Sequence, residues 1–176
     1  MSANIDQLVA AACNEPFADF VARVSPKFGA VPDHLAKVYR VISKSMRRQI
    51  FATVSLPPRH GKSETLAHGL AYRMVYTPTC LNGYATYGHD LSKAIAKKVR
   101  RYYAASGWRL KSSALLDLET SMAGGLKSTS TGGSITGRGF NGGIAACDDI
   151  IKGIMVSKEE NFSDTVPLAV WDRLHS

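Results

Sequence analysis

LPPRHGKS, residues 56–63, closes on Gly61, Lys62 and Ser63 and lies between two stretches of opposite character. Upstream, residues 49–56 (QIFATVSL) are apolar and β-branched, and Pro57 and Pro58 stop them, so they read as a buried strand. Downstream, Leu66, Leu70 and Met74 with Ala67 and Ala71 make an apolar stripe at helical spacing, which Pro78 ends. Strand, tight glycine loop and helix in this order form the setting in which a chain cradles phosphate. The first turn of a helix offers unpaired N–H groups and a positive dipole end, and Gly61 lets the backbone approach an anion. Lys62 then reaches the terminal phosphates and the Ser63 hydroxyl holds magnesium. The strict pattern wants glycine five positions before Gly61, where this chain has Leu56, so the tripeptide draws its weight from its flanks.

Residues 81–87 read as a second strand, leading to a helix from about Asp90 to Ala105 with Leu91, Ile95, Val99 and Tyr102 as its buried stripe. Residues 116–123 and 126–130, parted by Gly124 and Gly125, read as a hairpin or two short strands. Residues 132–143 follow, six of the twelve being glycine, with Arg138 held among them. A flexible loop that presents one arginine suits a phosphate, and it suits equally a solvated hairpin. Residues 144–147 are a short apolar strand delivering Asp148 and Asp149 at its end. Taken alone, an Asp pair ends a strand and starts a turn. Paired with Lys62, Asp148 suits a metal and Asp149 suits orienting or deprotonating a water. Lys62 and Asp148 stand 86 residues apart with a strand between them, which predicts an extra strand–helix unit in the sheet.

Upstream of residue 49 the pattern is helical. Asn14 reads as an N-cap with Pro16 just inside, and a break over residues 25–32 follows. Asp33 reads as the cap of a helix whose Leu35, Val38, Tyr39 and Ile42 share one face, while Lys37, Arg40, Lys44, Arg47 and Arg48 take the rest. A second basic face carries Lys93, Lys97, Lys98, Arg100 and Arg101. Such faces track a DNA backbone or are simply solvated.

The 176 residues suffice for one core, and 45% apolar content excludes a disordered tail. Twenty-two Lys and Arg against 14 Asp and Glu give +8 and a sequence pI of about 9.5, compatible with polyanion partners. Cys13, Cys80 and Cys147 lie far apart without zinc-ligand spacing, and no apolar run approaches a membrane span, so a reduced, cytoplasmic protein without membrane contact is expected.

Taken together, LPPRHGKSE, GYATYGHDLSKAIAKKVR, GGSITGRGFNGG and IAACDDIIK, in this order, resemble the ATPase domain of the bacteriophage terminase large subunit, the motor that packages DNA into proheads. The resemblance covers roughly residues 30–172, with weaker matches at VPDHLAKV and VWDRL. It implies an α/β P-loop NTPase of the additional-strand type, with a mostly parallel central sheet flanked by helices and incomplete at its C-terminus. Residues 1–48 would be a helical lead-in and residues 49–176 the ATPase core, with the Walker A loop at 56–63 and Walker B at 144–149. The C-terminal nuclease domain of the family is absent from this sequence, which implies a fragment, a truncated prophage product or one half of a split gene.

Carried over position by position, the resemblance makes Arg59, His60, Gly61, Lys62, Ser63 and Glu64 the nucleotide-binding loop, in which a missing first glycine is usual. Lys62, Arg59, Asp149 and Arg138 become catalytic, and Ser63 and Asp148 the metal residues. Asp149 stands where most terminases have a glutamate, one methylene longer. Arg138 matches an arginine finger acting on a neighbouring subunit's ATP, and residues 32–34 match a segment near adenine. The implied cofactors are ATP and Mg2+. The implied partners are double-stranded DNA, the terminase small subunit, the portal protein and further copies in a ring, in the bacterial host cytoplasm. The alternatives are another P-loop NTPase, helicase-like or a nucleotide kinase, and a prophage remnant that binds ATP or DNA without turnover.

Overall fold

The computed structural model describes residues 15–28, 30–131 and 142–149. It is an α/β fold, with a five-stranded mixed sheet and helices packed against it. In chain order the elements are α1 (Phe17–Val24), two single 3-10 turns (Pro26–Phe28 and Asp33–Leu35), α2 (Ala36–Ser45), α3 (Lys62–Tyr76), β1 (Leu81–Thr86), α4 (His89–Ala105), β2 (Ser112–Ala114), β3 (Asp117–Glu119), β4 (Gly125–Ser130) and β5 (Gly142–Cys147).

The strand order is β2-β3-β4-β1-β5. β1 lies between β4 and β5 and is parallel to both, whereas β2, β3 and β4 pair antiparallel. The expectation of a mostly parallel sheet is therefore corrected: parallel and antiparallel pairings are balanced. The reason is the short connections after α4, because neighbouring strands joined by two or a few residues can only return antiparallel. β1 to β4 needs a crossover, and α4 supplies it. From β1 the chain goes to one side and β5 sits on the other, so the sheet has a switch point at the carboxyl end of β1.

A second correction concerns residues 49–56, expected as a buried strand. They form no strand and pair with nothing in the sheet, and Phe51 is 82% exposed. β-Branched composition fits a pleated, half-buried surface but does not provide a strand edge to join. Among the described residues the only neighbour of β5 is β1, so its other edge is unpaired.

α3 is expected to carry one apolar stripe, yet it is buried almost all round from Thr65 to Tyr76, with Ala67, Leu70, Ala71 and Met74 fully covered. Its small residues explain this: a Cβ at Gly69 would lie 3.0 Å from the Ile42 side chain, so α2 rests on the glycine itself. α1, α2, α4 and the sheet all pack on α3. In α4, Ile95, Val99 and Tyr102 are buried as their spacing predicts, while Leu91 remains 41% exposed. α2 buries Ile42 and packs Val38 and Tyr39 against the core, again as spaced. Asn14 lies outside the described residues. Pro16 occupies the N-cap of α1, and Asp33 opens a 3-10 turn rather than capping an α-helix.

Asn82, fully buried in β1, ties the sheet together across three strands. Its amide nitrogen donates to the Gly125 carbonyl in β4 at 2.9 Å, and its amide oxygen accepts from the Ile144 N–H in β5 at 2.8 Å. The β1–β5 register shifts between Leu81 and Gly83, and a bulge leaves a backbone group without its ladder partner. Asn82 supplies that partner. Gly143 is required at the same place, because a Cβ there would sit 2.1 Å from the Leu81 carbonyl oxygen.

Candidate functional site

The start of α3 and the end of β5 meet. Gly61 is the N-cap of α3 at φ 81°, a left-handed conformation that glycine adopts without strain, and it leaves the first turn without a side-chain cap. Arg59 also has positive φ, at 64°, and its side chain is exposed. Among L-residues this conformation is uncommon outside tight loops. The His60 imidazole Nδ1 lies 2.9 Å from the Pro58 carbonyl, and the His60 carbonyl lies 3.1 Å from His34 Nε2. His34 thereby joins the turn at the head of α2 to the loop, their rings edge to face at 5.6 Å.

Facing this turn, the β1–β5 ladder runs two residues past β5: Asp148 N–H donates to Ala85, and Tyr87 N–H donates to the Asp149 carbonyl. Both carboxylates are thus fixed by backbone at the switch point. Lys62 Nζ lies 3.1 Å from Asp148 Oδ1 and 3.0 Å from Asp149 Oδ1. Ser63 Oγ donates to Asp148 Oδ2 at 2.7 Å, and the Tyr84 hydroxyl reaches the same oxygen at 3.3 Å. Asp148 is buried; the Asp149 side chain is 61% exposed. Hydrogen bonds from Lys62 to Asp149 and then Asp148 hold its ammonium pKa above the ordinary lysine range, so it stays charged. Burial first, and the Asp148 charge second, push the Tyr84 phenol well up, so it remains a neutral donor.

Lys62, Ser63, Asp148 and Asp149, singled out from separate parts of the sequence, therefore form one cluster. Glu64 is engaged elsewhere. Its carboxylate pairs with Lys98, accepts from the Tyr102 hydroxyl and lies 3.9 Å from Arg101, all on α4. Burial raises its pKa, but the Lys98 and Tyr102 hydrogen bonds and the Lys98 charge outweigh this and hold it below the usual carboxylate value. Arg138 lies outside the described residues. Tyr84 and Asn82 carry no signal in the sequence: both are single polar residues in an apolar strand, and only strand pairing shows what they face.

The donor set fits a hard divalent cation in part. Ser63 and Asp148 present oxygens only, the ligand type Mg2+ prefers, and Mg2+ typically takes one or two protein oxygens and completes its shell with water and phosphate. No group of three or more His, Cys, Asp and Glu residues that would cage a metal occurs among the described residues.

Of the basic faces, the one on α4 is largely tied down. Lys98 and Arg101 serve Glu64, Arg100 donates to the Ser113 and Ala114 carbonyls, and Lys93 lies 3.6 Å from Asp90. Lys37, Arg40, Lys44, Arg47 and Arg48, on and after α2, are exposed. Among the described residues no helix is long and apolar enough to cross a membrane. No family model and no curated protein matches the chain.

Proposed function

We propose that this chain is a P-loop ATPase domain of the additional-strand type, related to the terminase large subunit, which hydrolyses ATP with magnesium to drive movement of double-stranded DNA. The observation that carries the reading is the contact between Lys62 and Ser63 at the head of α3 and Asp148 and Asp149 at the end of β5. A lysine and a hydroxyl at a helix N-terminus, opposed by two strand-end carboxylates at a switch point, are the parts that phosphoryl transfer needs.

In this reading the free N–H groups of the first turn of α3 and the Lys62 ammonium bind the phosphates. Lys62 exchanges carboxylate for phosphate oxygens, a like-for-like trade of charge partners that keeps its proton. Ser63 and Asp148 would hold the magnesium, which supplies neutralisation of phosphate charge. Tyr84 keeps Asp148 oriented. Asp149, exposed once Lys62 turns to phosphate, orients the attacking water and accepts its proton. Arg59, beside Gly61, faces solvent and is available to the phosphates. The exposed cations of α2 are the surface for a DNA backbone.

The test is magnesium-dependent ATP hydrolysis by the purified chain, with and without double-stranded DNA, against Lys62→Ala and Asp149→Ala. Each substitution should lower turnover by about 10²–10³-fold, the usual loss when one transition-state stabiliser or proton acceptor is removed. Wild-type turnover in Lys62→Ala would overturn the assignment. ATP binding without turnover in the parent chain would favour the reading as a binding module.

A further inference from the structure

The free edge of β5 borders a cavity of about 960 Å³, whose opposite wall is residues 47–54 and whose floor includes Val38, Ile42 and Leu66. Its lining is apolar along Ile144 and Ala146 of β5 and along Ile50 and Phe51, while Arg47 and Arg48 stand exposed at its mouth. Two costs meet here. A large aromatic ring left in water forgoes about 2 kcal/mol of burial, and an unpaired strand edge is a template for another chain.

We propose that this cavity is the seat of residues 165–171 (TVPLAVW) of the same chain. Three observations converge on this stretch. It is apolar, with Val166, Leu168, Val170 and Trp171 to set against Ile144 and Phe51. It is tethered to the site, since the chain leaves β5 at Asp149 and an extended chain covers about 3.3 Å per residue, so residues 150–164 reach back to any point along a strand about 20 Å long. It is preceded by Glu159, Glu160 and Asp164, opposite in charge to Arg47 and Arg48. The tether raises the local concentration of the stretch into the millimolar range, so modest contacts suffice to seat it. The cavity runs up to Lys62 and Asp149, so the seated stretch closes the open flank of the candidate nucleotide site. The packing itself does not rest on the ATPase reading.

Cys147 lines the cavity and is exposed, which provides a native probe. In the full chain carrying Leu168→Cys, mild oxidation should form an intramolecular disulfide between residues 147 and 168, mapped by peptide mass spectrometry. It should form at least tenfold faster than the corresponding bond in Met155→Cys, whose position lies closer along the chain. In parallel, Trp108→Phe leaves Trp171 as the sole tryptophan, and its emission should be blue-shifted and return to the solvent value in urea. Equal or faster oxidation in Met155→Cys, a bond between two copies, or solvent-like Trp171 emission in a chain with native circular dichroism would each overturn the proposal. None of these readouts involves ATP, so they fail or succeed independently of the hydrolysis experiment.

Discussion

Replacing Asn82 by alanine removes both side-chain hydrogen bonds that cross β1, one to the Gly125 carbonyl and one from the Ile144 amide. Asn82 is 0% exposed, so the groups it leaves have no ready access to water. An orphaned buried polar group costs about 1–3 kcal/mol, and two of them plus a small void come to about 2–4 kcal/mol. Domains of this size have about 5–15 kcal/mol in total, so the loss is a large fraction of the whole. With a urea m-value near 2 kcal/mol/M, the midpoint should fall by about 1–2 M and Tm by about 10 °C. The damage should concentrate at β5, because its bulged register relies on Asn82 and its outer edge has no strand neighbour among the described residues. Hydrogen exchange should therefore speed up along residues 144–148 more than along β4. Urea melts with a fixed m-value, together with exchange mass spectrometry, are the assay. A midpoint within 0.3 M of the parent would refute the reasoning, because it would mean that the bulge does not depend on this amide.

His68 stacks on Tyr102 at 3.9 Å, contacts Ser25 Oγ at 2.8 Å and is buried, and burial lowers its pKa to about 4 against the opposing pull of Glu64. The unfolded chain takes up a proton near pH 6.5 that the folded chain refuses until about 4, so stability is full above pH 6.5 and falls as pH drops through that window, by up to about 3 kcal/mol. Urea midpoints at pH 7.0 and 5.0 should diverge in the parent and converge in His68→Phe; equal slopes in both chains would contradict this. Gly143→Ala should cost about 2 kcal/mol or more and lower ATP turnover, since its Cβ meets the Leu81 carbonyl and pushes Asp148 off its position; thermal melts and turnover measured together check it. Glu64→Gln should destabilise the α3–α4 contact by about 1–2 kcal/mol in urea, because Lys98 loses its charge partner; a midpoint insensitive to this change would count against the pairing. Arg40→Glu with Lys44→Glu should weaken double-stranded DNA binding and flatten its dependence on salt, read by fluorescence anisotropy at several salt concentrations; an unchanged slope would move the DNA surface elsewhere.

The sequence by itself determined the local elements that periodicity encodes. The stripes Leu35–Val38–Tyr39–Ile42 and Ile95–Val99–Tyr102 face the core as spaced, because a helix with apolar residues at i, i+3, i+4 and i+7 has only one face to bury. It also marked Lys62, Ser63, Asp148 and Asp149, since glycine loops and strand-end carboxylates are local patterns. Pairing was decided only in three dimensions. Residues 49–56 have strand composition but no edge to join, whereas the weakly apolar residues 112–114 become a strand because β3 is two residues away to pair with them. The direction of Glu64, next in sequence to Ser63, was set by Lys98 and Tyr102 on a different helix. The bridging role of Asn82 and the contact of Tyr84 with Asp148 exist only because β1 lies between β4 and β5. Periodicity is a property of one segment and hydrogen-bond satisfaction is a property of neighbours, and neighbours across a sheet are chosen by the whole fold.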